Sequence, residues 1–153
     1  MISPPFAGIS PLTMAILPKN RFNVSSTILE IHQTIEQNKL PIQLIREGCL
    51  YHYSTYEGRK AATYYHTGFK RKVPIVISVS HQIIAFPTHA TTDINCNWIF
   101  YHHVESIQSE SDRNQPTSMI TFRNGIQLNI NLPAPFLKEQ MTRCLACFYS
   151  IKK

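Results

Sequence analysis

Among the 153 residues, four groups carry side chains capable of chemistry: a CxxC pair, seven histidines, nine acidic residues and a run of cations. Cys144 and Cys147 have the spacing of a redox dithiol or of half a zinc site. A redox dithiol belongs at a helix N-terminus, where the helix field lowers the thiol pKa. This pair falls instead near the end of a predicted helix. Zinc would need two more ligands, and Cys49 or Cys96 with His52, His102 or His103 supply no second spacing motif. The cysteines are therefore read as small buried hydrophobes, with no metal and no cofactor. His102 and His103 are neighbours in a predicted strand and would point to opposite faces. His52, His66, His81 and His89 sit in aromatic or turn-like stretches with no nucleophile to activate. Asp93, Glu105, Glu110 and Asp112 form no recognisable pair. No P-loop, dinucleotide glycine fingerprint, HExxH, EF-hand loop or GxSxG elbow is present. The expectation is a protein that is not an enzyme.

The cations are the more informative group. Lys and Arg outnumber Asp and Glu by 15 to 9, a net charge of +6 that favours polyanionic partners. Arg59, Lys60, Lys70, Arg71 and Lys72 put five positive charges into fourteen residues with no acidic residue among them. A solvated basic face explains such a run as well as a binding surface does. Two features favour DNA: a helix start carrying Arg59 and Lys60 offers charge and free N–H groups to phosphates, and a basic loop behind it can enter a narrow groove. Glu57 stands close enough in sequence to pair with Arg59. Tyr51, Tyr53, Tyr56, Tyr64 and Tyr65 cluster around the same segment. They keep open an RNA-binding reading, in which aromatics stack on bases, and a protein-interaction reading.

These residues must be positioned by a modest set of elements. Residues 12–17 read as a strand stopped by Pro18, 27–34 as a second strand, and 42–45 as a third after Pro41. Ser54 or Thr55 caps a helix reaching about His66, which Gly68 ends. Residues 74–78, 82–86 and 98–107 are further strands. A loop spans 109–116. Asn124-Gly125 joins 118–122 to 126–132 in a hairpin of type I′ character, with Ile126, Leu128, Ile130 and Leu132 on one face. A closing helix over 133–149 carries the stripe Leu137, Met141, Leu145, Phe148. The fold class is thus α+β, a mostly antiparallel β-sheet with one central and one C-terminal helix. Residues 1–11 read as a flexible lead-in and 12–153 as a single DNA-binding domain, large enough to fold without staples. No apolar run has membrane-spanning length and the start lacks a signal peptide, so a cytoplasmic protein with reduced thiols and no membrane partner is expected.

Several separated blocks resemble one family. Tyr56-Glu57-Gly58-Arg59-Lys60-Ala61-Ala62-Thr63-Tyr64 follows a Y-x-G-R-K-x-x-T-Y pattern. Lys72-Val73-Pro74-Ile75, Gln82-Ile83-Ile84-Ala85-Phe86-Pro87-Thr88, Cys96-Asn97-Trp98-Ile99, Val104 and Thr121-Phe122-Arg123-Asn124-Gly125 follow in the same order, after an early Thr13-Met14-Ala15-Ile16-Leu17-Pro18. Together, from about 12 to 150, they resemble the ComK family of competence transcription factors of Bacillus-type bacteria. That resemblance implies a double-stranded DNA-binding activator of DNA-uptake genes that reads paired AT-rich boxes largely through the minor groove. It also implies self-association in multiples of two, nucleoid association when bound, and the transcription machinery and a degradation adaptor as further partners. Relatives run on past the closing helix into a tail tied to activation, whereas this sequence stops at Lys153, so the resemblance bears more directly on DNA binding than on activation. Placement and charge then make Arg59 or Arg71 the minor-groove residue, and Lys60, Lys70 and Lys72 the phosphate contacts.

Overall fold

The computed structural model describes residues 8–110 and 114–152. Strands β1 (Thr13–Arg21), β2 (Val24–Glu30) and β3 (Thr34–Gln37) form a meander, followed by helices α1 (Pro41–Tyr51) and α2 (Tyr56–Thr67). Strands β4 (Ile75–Ser78), β5 (Ile83–Pro87) and β6 (Trp98–Phe100) complete a six-stranded sheet in the order β3-β2-β1-β6-β5-β4. A 3₁₀ turn, Tyr101–His103, passes the chain to a second sheet of β7 (Val104–Glu110), β8 (Thr117–Phe122) and β9 (Gln127–Ile130), and helix α3 (Ala134–Ile151) closes the described chain. All ladders are antiparallel.

The large sheet is buried on both faces along β4, β5 and β6, as the destinations of alternate side chains show. Ile75, Ile77, Ile83, Ala85, Trp98 and Phe100 point into one cluster, with Leu44, Ile45 and Cys49 of α1. Val76, Ile84, Phe86 and Ile99 point into the other, with Ile107, Ile120 and Phe122 of the small sheet and Leu137, Cys144 and Cys147 of α3. The order of layers is therefore α1, large sheet, then small sheet with α3. Strand residues buried on both sides read as continuous apolar runs, and β4, β5 and β6 do.

Three helices are present among the described residues, not one central and one C-terminal helix, and α1 occupies the stretch where the sequence suggests a strand. Pro41 misleads there. It stands at the first helical position, where its missing N–H costs nothing, rather than at the end of a strand. Gln43 Oε1 accepts from the Leu40 N–H at 2.7 Å, closing the helix start from the third position. The buried positions Pro41, Leu44, Ile45, Gly48 and Cys49 recur with helical spacing. Gly48 permits close approach to the sheet: a Cβ there would lie 2.9 Å from Ile9 Cδ1 and 3.2 Å from Ile77 Cγ2.

Smaller corrections follow from tertiary context. β1 continues through Pro18, where β2 pairs with it opposite Ser26 and β6, which pairs only at Ala15 and Ile16, does not reach, so the proline stands on a stretch paired on one side. The strand expected over 98–107 breaks at Tyr101–His103, where the chain leaves one sheet for the other, so His102 and His103 lie on a 3₁₀ turn. Gly125 has φ +92 but Asn124 is not in the positive-φ region, so the hairpin turn is not type I′. Leu145 is 38% exposed, while Ala134, Gln140, Cys144 and Cys147 are buried, which rotates the inner face of α3 away from the expected stripe. Most of the expected lead-in, residues 1–7, and positions 111–113 of the 109–116 loop lie outside the described residues; Ile9 is packed in the α1-side core.

If α1 is helical with this register, Ile45→Ala should lower the free energy of unfolding by ~2–5 kcal/mol, as for other large-to-small core changes. The exposed Gln43 and Arg46 beside it should tolerate alanine far better. Urea unfolding of the three variants checks this; equal losses at Gln43 and Ile45 would count against the helix.

Candidate nucleic-acid interface

Helix α2 lies along β4, the terminal strand of the large sheet, and touches both α1 and α3, which cover opposite faces. It therefore covers an otherwise open strand edge. Thr55 caps it, its side chain accepting from the Gly58 N–H at 2.9 Å, and Gly68 ends it with φ +80 and an N–H to the Tyr64 carbonyl. Only Tyr56 and Thr63 of α2 are buried, so most of the helix surface faces solvent. From Gly58 to Thr92 the chain has no acidic residue.

The five expected residues divide into two environments. Lys60, Lys70, Arg71 and Lys72 are exposed. Lys60 Nζ stands 5.5 Å from the Tyr56 ring centre and Lys70 Nζ 5.5 Å from that of Tyr64. Because Lys60 and Tyr64 are one helical turn apart, Lys60, Tyr64 and Lys70 form a row. Lys72 Nζ is 5.1 Å from the Phe136 ring centre, which ties the far end of the loop to α3. Arg71 extends from the loop with no ion pair among the described residues.

Arg59 differs. It is half-buried, lines the cleft between α2 and α3 with Ala62, Thr63, His66, Cys147 and Ser150, and its Nε is buried without a hydrogen-bond partner among the described residues. Glu57 pairs with Arg46 of α1 rather than with Arg59. That pair places a carboxylate on the first turn of α2, so the helix start is less open to phosphate than its cations alone imply. Arg46 also sits over the Tyr56 ring at 4.7 Å.

Two residues that sequence reasoning missed hold the loop after α2. Gln140 Nε2 donates to the carbonyls of Lys72 at 2.7 Å and Pro87 at 3.0 Å. Arg143 Nη1 donates to the carbonyls of Arg71 at 2.9 Å and Lys72 at 3.3 Å, and to Gln140 Oε1 at 3.0 Å. Its guanidinium lies 4.4 Å from the Phe69 ring centre. A polar Gln140 on the inner side of an apolar helix is the sole trace of this arrangement in the sequence, since its partners lie 53 and 68 residues away.

The remaining candidates are occupied otherwise. All four cysteines are buried and unpaired by disulfides. Burial pushes the Cys49 thiol up to about 11, with Arg59 and Arg46 pulling it partly back. Burial likewise raises Cys96, Cys147 and, most strongly, Cys144. No group of three or more His, Cys, Asp and Glu among the described residues could hold a metal ion. His52 and His102 are held below the ordinary histidine value, mainly by loss of water contact. Asp112 lies outside the described residues. No helix of the described residues is long and apolar enough to cross a membrane. What the α2–β4 surface offers chemically is positive charge, N–H donors and ring faces.

An α+β domain presenting cations on an edge helix and its following loop carries a surface of one sign of charge, which favours polyanionic partners. The family model described as ComK protein matches residues 6–153, and the chain belongs to that family. It is similar to the competence transcription factor of Bacillus subtilis (strain 168), 31% identical over 137 residues that cover 88% of this chain and 69% of that protein. No solved structure matches it. Membership of this family makes the chain a non-catalytic protein.

The buried thiols yield a direct check. At pH 8 a thiol of pKa near 11 is about 0.1% thiolate, so the folded protein should react with a disulfide reagent about two orders of magnitude more slowly than a free cysteine. All four should titrate quickly in denaturant. One fast thiol in the folded state would show that a cysteine is accessible after all.

Proposed function

We propose that this chain is a DNA-binding transcription regulator that acts on competence genes and holds AT-rich duplex through the α2–β4 surface. The observation that carries the reading is the row of exposed cations, Lys60, Lys70, Arg71 and Lys72, on a stretch without acidic residues and on a backbone fixed by α3. The similarity to a competence transcription factor supplies the biological setting. Lys60, Lys70 and Lys72 serve as phosphate contacts, which position a protein on the duplex without reading sequence. Arg71, exposed and without an ion pair among the described residues, suits a narrow minor groove, where A-runs concentrate negative potential. Arg59 is the weaker choice for insertion, because it is half-buried in the α2–α3 cleft. Paired boxes call for paired subunits, so binding of two copies across two boxes is part of the same reading.

Titration of labelled duplexes by fluorescence anisotropy tests this. AT-rich duplex should bind more tightly than GC-rich duplex of equal length, should outcompete single-stranded RNA, and should weaken steeply with salt as counterions are released. Tighter binding to the RNA would move the exposed tyrosines Tyr64 and Tyr65 to the centre of the reading instead. Arg71→Ala should lower both affinity and the AT preference. Alanine at Lys60, Lys70 or Lys72 should weaken all duplexes alike and reduce the salt slope by ~1 for each phosphate no longer neutralised. If all four variants bind like the parent at two salt concentrations, the DNA surface lies elsewhere on the molecule.

A further inference from the structure

We propose that Arg143 and Gln140 of α3 are positioning residues for DNA binding, acting through the loop backbone and not by touching the duplex themselves. The inference rests on the reading that Lys70, Arg71 and Lys72 face DNA. Three features of the loop lead to it. Lys72 has φ +46, a left-handed conformation that a non-glycine residue holds only when its surroundings enforce it. Two carbonyls of the loop, those of Arg71 and Lys72, receive three hydrogen bonds from α3, which fixes the backbone that carries the exposed side chains of the same residues. The Arg143 guanidinium is stacked on Phe69 at the start of the loop, so one side chain braces both ends of the cationic segment. Its Nη1 already serves three protein acceptors.

A loop ordered before binding avoids the entropic cost of ordering three rotamer-rich side chains and their backbone on the duplex. Arg143 therefore governs how tightly the loop binds but not how many phosphates it neutralises. A direct phosphate ligand and a brace consequently leave different marks on a salt titration. Removing a ligand lowers the slope by ~1, whereas removing a brace lowers affinity at every salt concentration with the slope unchanged.

The test uses Arg143→Met, which keeps the stem over Phe69 and removes every donor. Arg143→Lys, which keeps the charge and one donor group, is its partner. Circular dichroism and a thermal melt establish that each is folded. Trypsin cleavage after Lys70, Arg71 or Lys72 is then timed in the free protein, with fragments identified by mass. Arg143→Met should speed cleavage by about tenfold, the opening expected when one or two backbone-directed hydrogen bonds are removed. Its DNA affinity should fall several-fold with an unchanged salt slope, and Arg143→Lys should lie between it and the parent in both assays. If Arg143→Met does not fold, Arg143→Lys still has to cleave faster than the parent. Cleavage at the parental rate overturns the brace whatever the DNA assay reads. A salt slope lowered by ~1 with parental cleavage makes Arg143 a phosphate ligand and also overturns it. Faster cleavage with unchanged DNA affinity overturns the link to binding, and directs doubt at the DNA-facing loop and not at the brace.

Discussion

Strand β4 ends the half of the large sheet whose two faces are both buried, and its free edge has to be covered. An exposed edge would present unpaired N–H and C=O groups to any passing strand. Helix α2 supplies the cover, with Tyr56 in the core shared with α1 and Thr63 directed to the Pro74 carbonyl at 3.4 Å. That constraint fixes α2 at the rim of the molecule, where only a narrow side can be buried. The outer surface of the helix is released from packing and is free to carry Lys60, Tyr64 and the basic turn beyond it. The exposed basic surface is thus a by-product of edge protection, with the sheet placing α2 and α3 holding the loop that follows it.

The same economy applies to the polar groups of the loop between α2 and β4. Carbonyls that turn inward against α3 need donors, and Gln140 and Arg143 provide them from a helix face otherwise made of Ala134, Leu137, Cys144 and Cys147. Gln140 is 1% exposed, a polar residue placed in a core where leaving its amide unmatched would cost about 1–3 kcal/mol. Its two acceptors, on the loop and at the end of β5, make it a joint between the helix and the sheet.

Local signals are legible where local physics decides. Thr55, Glu57 and Gly68 mark the ends of α2 because caps and a left-handed residue act within one turn. Short apolar runs bounded by turns locate β4 and β5, and alternation locates the β8–β9 hairpin, for the same reason. Helix α1 escapes because Pro41 and the short apolar run after it suit either a strand or a helix start, and only the packing of Leu44, Ile45 and Cys49 on the sheet decides. The inner face of α3 is misjudged because Leu145 looks more apolar than Cys144, although the sheet meets the cysteine. Within the candidate site, charge reveals the five cations, but exposure does not follow from it: Arg59 turns toward the cleft while Arg71 turns out. The brace from Gln140 and Arg143 has no local signature beyond one polar residue on an apolar face, since its two halves meet only in the folded chain.

The pairing of Ala15 with Ile99 and Ile16 with Trp98 sets a timetable for the molecule's birth on the ribosome. The central strand is made early, yet its second neighbour emerges only after both helices and two further strands, so the first meander must wait with one side unpaired. Non-local pairing of this kind slows folding and lengthens exposure of apolar strands to aggregation. The basic turn waits longer still, because its backbone is gripped only after residues 140–143 have been synthesised and docked. A nascent chain therefore displays its charges well before it holds them in place. Order in the basic turn is among the last properties the protein acquires.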